Sequence, residues 1–304
     1  MKQTARLIAA MGLAVGVMSG QQASPTPGTP AAQSGTPAPA GAAGAKPATG
    51  AVTTTAQGKT PPQAKTQPEF DAYRAAVAGT DPAALEKAAD DFATKFPTSE
   101  LKVLLYRNVM RAYQNANDSE HMLAVAQKVL ALDPDDPEAL VGAAEVIIER
   151  TRDTDIDKDQ RFDEGIIDAQ KSIQTVETDV IIPAGTPQEK IDQYKASLKS
   201  TAYSLIGTAQ FGEEKYADAE ANYRKALDIY PQNPDPVVVL RLALTLDKQN
   251  RYPEALKVAE HAVELTQDNT SAGTLARRER DRLAQLTGSA PPPAKPAATA
   301  PAPK

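Results

Sequence analysis

The sequence predicts an all-α fold, an α-solenoid of helical hairpins carrying an unstructured arm at each end, and three observations carry that expectation. Residues 215–233, KYADAEANYRKALDIYPQN, can be laid over 251–269, RYPEALKVAEHAVELTQDN, so that Tyr216 meets Tyr252, Ala219 meets Ala255, Ala226 meets Ala262 and Leu227 meets Val263, always at an offset of 36. A fixed offset of that size marks a repeated supersecondary unit. Asp81-Pro82, Asp136-Pro137 and Asp235-Pro236 each place a capping carboxylate before a proline suited to a first helical turn. Between the arms lie about 220 residues rich in Ala, Leu, Glu, Asp and Lys, enough for one elongated domain.

The elements follow in order. Lys2 and Arg6 precede the apolar run LIAAMGLAVGVM, and small and polar residues follow around Ser19, Gly20 and Ala23. Basic, then apolar, then small is the order of a secretory signal, expected over 1–20. The run is shorter than the roughly 20 residues that a membrane span needs. Cleavage would leave an exported protein, periplasmic or secreted, with no membrane span; an uncleaved N-terminal anchor is the lesser alternative. Residues 21–67 contain one Val and no Leu, Ile, Phe or Tyr. Such a stretch cannot bury enough apolar surface to offset chain entropy, so it reads as a disordered linker, and the Pro/Ala-rich 287–304 reads as a disordered tail.

The folded part, 68–286, divides into units at 68–100, 103–136, 137–177, 187–233 and 236–269, with a terminal helix at 271–286. The aromatic, alanine, alanine, proline order of 215–233 resembles the second helix of a tetratricopeptide repeat, whose period is about 34 residues. Upstream, Tyr203, Ile206 and Gly207 stand where that family has its Trp, Leu and Gly. Tyr106, Val109, Tyr113, Ala126 and Pro134 keep the pattern in 103–136, where Met122 and Val129 replace two alanines. The FPTSE ending of the first unit resembles exported bacterial envelope proteins of this family. TPQE, Thr186 to Glu189, reads as a capping box opening a first helix of about 25 residues. Phe162 comes later after Pro137 than the repeat requires, which implies an insert of about nine residues in the third unit. The charged amphipathic SAGTLARRERDRLAQL is suited to cover the apolar end of the stack.

Composition removes several function classes. The chain has no cysteine, so neither disulfides nor thiolate chemistry are available. A net charge of -6 argues against general nucleic-acid binding. Histidine occurs only at His121 and His261, at different places in the repeat, and no phosphate loop, serine elbow or H-E-x-x-H is present. No enzyme is expected. The insert DTDIDKDQRFDE puts Asp153, Asp155, Asp157 and Glu164 at positions 1, 3, 5 and 12 of a calcium loop. Lys158 stands where such loops turn on glycine, and a solvated spacer is the plainer reading. Calcium is therefore the one cofactor considered, as a metal-responsive alternative.

The tetratricopeptide resemblance implies a noncatalytic scaffold or adaptor of the cell envelope whose concave face, lined by first helices, holds an unidentified protein or peptide. Self-association into a homo-oligomer is a further option. On that frame Arg107, Arg111, Gln114 and Asn115 face inward in the second unit and suit an acidic or C-terminal carboxylate. Glu145 faces inward in the third, and with Glu149 offers the arginines an internal partner instead. Ser204, Thr208 and Phe211, followed by Leu240 and Leu244, give the C-terminal half a more apolar face. That face is either a groove for a partner helix or simply covered by the terminal helix.

Overall fold

The computed structural model describes residues 58–267 and 269–289. The expected signal peptide, the linker as far as 57 and the tail from 290 lie outside the described residues.

Among the described residues the chain forms eleven helices and a single isolated β-bridge. They are α1 (Gln67–Ala76), α2 (Pro82–Lys95), α3 (Leu101–Asn115), α4 (Ser119–Leu132), α5 (Pro137–Arg150), α6 (Lys158–Thr175), α7 (Gln188–Gly212), α8 (Tyr216–Ile229), α9 (Pro236–Lys248), α10 (Tyr252–Glu264) and α11 (Ser271–Leu286). Each helix packs on the next in sequence, and α1 with α3, α5 with α7, α7 with α9 and α9 with α11 also touch. Odd-numbered helices thus form one layer and even-numbered helices cover it, as stacked helical hairpins do.

Local chemistry explains most boundaries. Asp81, Asp136 and Asp235 each accept backbone N–H bonds from the first turn of the helix they precede, with proline next in line. Three hairpins turn in the same way: Asn117, Glu214 and Asn250 adopt positive φ after α3, α7 and α9. The following N–H then returns to the helix, from Asp118 to Tyr113 O, Lys215 to Gln210 O and Arg251 to Leu246 O. The capping box expected at Thr186 does not form. Its hydroxyl donates instead to Pro183 O at 2.7 Å, and α7 begins at Gln188 without a side-chain cap. The helix still runs 25 residues.

Packing follows the repeat. Gly207 faces Tyr223, where an added Cβ would lie 3.0 Å from the ring, and Tyr223 itself is buried. Gly165 lies closer still to Ile148 in the preceding helix, where an added Cβ would lie 2.5 Å from Cγ1. A small residue at such a crossing brings two helices together without a cavity. Met122 and Val129, the substitutes for alanine, are both buried in the N-terminal core. Further cores lie between α5, α6 and α7 and between α8, α9, α10 and α11.

The linker boundary shifts. Residues 58–66, read from composition as linker, lie against the repeats: Lys59 bridges to Ile181 and Ala64 packs on the N-terminal core. Composition missed this because the attachment rests on one lysine, small residues and backbone groups, with partners far along the chain.

Candidate functional site

The odd-numbered layer is where a partner was expected, and its N-terminal half is built from charge. Arg107 and Arg111 stand one turn apart on α3, on one face. Asp136 caps α5 and Glu138 lies in its first turn, where the helix dipole favours an acid. Laying α3 beside α5 sets the pairs against each other. Arg107 Nη2 donates to Glu138 Oε2, and its Nε lies 3.3 Å from Asp136 Oδ2. Arg111 Nη2 donates to the same Glu138 oxygen at 2.6 Å while its Nε donates to the other. Tyr194, on the N-terminal turns of α7, donates its hydroxyl to Glu138 at 2.7 Å.

Burial sets the energetics. Burial alone would push the Glu138 carboxyl up, but Arg111 and Arg107 outweigh it and hold the group well below the usual carboxylate range. Asp136, fully buried, goes the other way: desolvation raises it against the pull of Arg107. Arg107 is 4% exposed, so it is consumed within the fold and does not meet solvent as a carboxylate binder. Arg111 keeps 42% of its side chain exposed. Gln114 donates to Glu145 at 3.4 Å, and Asn115, at the end of α3, is exposed.

Farther along, Arg241 joins three first helices. Its Nη1 donates to Thr208 on α7 at 2.7 Å and its Nη2 to Glu149 on α5 at 2.9 Å. Thr208 in turn donates to Ser204 O and accepts from Tyr223. Ser204 is buried, and Phe211 is half-buried with its ring edge-on to Tyr216. Leu240 is buried with Val239, Ala262 and Ala276, and Leu244 packs half-buried against that cluster. Ala276 belongs to α11, so the terminal helix covers the apolar face at Leu240 and leaves Leu244 half-buried.

The insert does not assemble the four ligands of the calcium alternative. Only 151–157 is loop, and α6 begins at Lys158, so Glu164 stands in the second turn of a helix that starts midway through the motif. Asp155 accepts from the Arg152 N–H and lies 3.6 Å from Arg161, while Asp153 is 3.8 Å from Lys158. Asp157 precedes α6 without a side-chain cap bond. Among the described residues no three His, Cys, Asp or Glu side chains converge on a metal position.

Sequence reading offered Arg107 and Arg111 the internal partners Glu145 and Glu149; in the structure both arginines donate to Glu138, while Glu145 accepts from Gln114 and Glu149 from Arg241. Glu138, Asp136, Tyr194 and Arg241 complete the inner layer. An Asp-Pro-Glu helix start opposite two arginines was the available signal for the first pair. An arginine inside VVVLRLALTL was the signal for Arg241, since a charge in so apolar a helix needs a buried partner.

The stacked hairpins and the small-residue crossings define the class: an α-solenoid of the tetratricopeptide type. Residues 210–278, from the end of α7 into α11, match the family model described as tetratricopeptide repeat. A solved structure of PilF from Pseudomonas aeruginosa is similar at 15% identity and a TM-score of 0.51, over 73% of this chain and 87% of that one. A thermophilic tetratricopeptide protein of Thermus thermophilus is similar at 14% identity and 0.44, over 69% and 98%. A double mutant of MamA gives 16% identity and 0.45, over 65% and 92%. No curated protein sequence matches the chain.

Proposed function

We propose that this chain is a noncatalytic interaction scaffold of the cell envelope, seating an extended peptide or a helix of a partner protein along its odd-numbered helices. One observation carries the reading. Arg111, Glu145, Thr208 and Leu244 each follow the small or buried residue at the helix crossing, so they occupy the same place in four successive first helices. All four are half-buried, and their chemistry runs from cationic through anionic and hydroxyl to apolar. A partner segment with its apolar end at α9 and its polar end at α3 fits that order. The histidines favour no catalytic role: His121 and His261 lie exposed on even-numbered helices, each beside a carboxylate of its own turn. Export rests on the Lys2/Arg6-led apolar run at the N-terminus.

Photo-crosslinking tests this. A crosslinker at Gln114 or Phe211, on the inner layer, is expected to capture the same partner in envelope preparations, and one at Asp91 on α2 or Lys225 on α8 to capture none. Capture of that partner from Asp91 or Lys225 alone would overturn the assignment of the face.

A further inference from the structure

We infer that residues 58–66 form a latch, and that its docking holds the α6–α7 connection and the N-terminal turns of α7 in place against the inner layer. The residues concerned lie in a chain segment, 1–66, that contains no Asp or Glu. Its described end meets three connections between helices in turn. Lys59 Nζ lies 2.8 Å from Asp133, in the α4–α5 connection, and 2.8 Å from Asp179, in the α6–α7 connection. Its backbone joins the same α6–α7 connection through a parallel bridge to Ile181, with Ile182 N–H donating to Lys59 O at 3.3 Å. At the other end, Lys65 N–H donates to Glu69 at 2.6 Å, and the buried Glu69 also accepts from Ser99 in the α2–α3 connection.

The fit beside the bridge is steric as well as ionic. A Cβ on Gly58 would lie 2.0 Å from Val180 O and 2.7 Å from Val180 Cγ1, so only glycine lets the arm approach this closely. Val180 is fully buried in a small cluster with Val176 and Leu198, against which Ile182 and Tyr194 pack. Tyr194 then reaches Glu138 and, through it, Arg107 and Arg111. A continuous set of contacts therefore runs from Gly58 and Lys59 through 180–182 and the first turns of α7 to the charged half of the inner layer. Loosening the arm takes the Gly58 backbone away from Val180 and removes the backbone acceptor of the Ile182 N–H. A segment that enters the fold through a few polar pairs, one bridge and limited packing opens more readily than a helical core.

The test is hydrogen–deuterium exchange on the full chain, comparing wild type with Gly58→Val and Lys59→Ala; Lys87→Ala, which breaks only an exposed pair on α2, serves as control. In the wild type, the Ile182 amide is expected to exchange slowly. In both arm variants, exchange over 180–182 and 191–199 is expected to rise by about tenfold or more, with α9 and α10 unchanged. Lys59→Ala preserves all packing at Gly58 and so keeps the test open if Gly58→Val is recovered poorly. Wild-type exchange of Ile182 at the free-chain rate would overturn the latch. So would arm variants in which 58–66 exchanges freely while 191–199 stays within twofold of wild type.

Discussion

Two acidic residues of the same fold are shifted in opposite directions, and each shift makes a different demand on stability. Glu138 is held low by Arg111 and Arg107 despite its burial. Its contribution is fully present above the ordinary glutamate value and is lost only as pH falls through its much lower folded value. Replacing it with Gln leaves Arg107 facing Asp136 alone and takes from Arg111 the carboxylate it donates to. Glu138→Gln is expected to cost about 3–5 kcal/mol at pH 7, read as a fall in urea midpoint. A change of under about 1 kcal/mol would mean the network contributes little. Asp168, on α6, is pushed up to about 6 from 3.8, first by burial and then by the charge of Glu164. Between those values the folded chain binds the proton more tightly, so stability rises as pH falls through that window. Asp168→Asn is therefore expected to stabilise by on the order of 1 kcal/mol at pH 7, discounted for partial solvent screening, and by much less at pH 4. Equal gains at both pH values would contradict this. Neither shift was legible in the sequence, because each depends on which neighbouring helix supplies the surrounding groups.

Single elements were legible where their chemistry is local. The Asp-Pro starts of α2, α5 and α9 and the 25-residue span of α7 follow from residues a few positions apart. Thr186 failed as a cap because α7 starts one residue later than the motif requires, at Gln188 with Pro187 in the N-cap position. The hairpin turns give a further test. Glu214 holds φ at 63° with a Cβ that disfavours that region. Glu214→Gly is expected to stabilise by about 0.5–1 kcal/mol in thermal or urea unfolding. At the α7–α8 crossing, Gly207→Ala forces a methyl toward the Tyr223 ring and Ala219 O. A loss of about 1–3 kcal/mol is expected, and an unchanged midpoint would show that the crossing has room to spare.

At the scale of the whole molecule, each hairpin meets chiefly its neighbours, so damage should stay near its source. Leu283 on α11 is fully buried against the C-terminal core. Leu283→Ala is expected to destabilise by about 2–5 kcal/mol, with faster amide exchange in α9 and α10 and little change in α3 and α5. The repeat frame was legible because one unit resembles the next. The closures that shape the inner layer were not: Arg241 to Glu149 spans 92 residues and Lys59 to Asp133 spans 74. The same limit applies to the acidic insert, where regular spacing in sequence became a short loop followed by helix. Partner recognition on the odd-numbered layer is tested most directly by hydroxyl-radical footprinting of the full chain with and without its crosslinked partner. Loss of modification at the half-buried Phe211 and Leu244, with the exposed Leu132 on α4 and Ile167 on α6 unchanged, is the expected result. Protection confined to Leu132 and Ile167 would place recognition on the outer layer and contradict it.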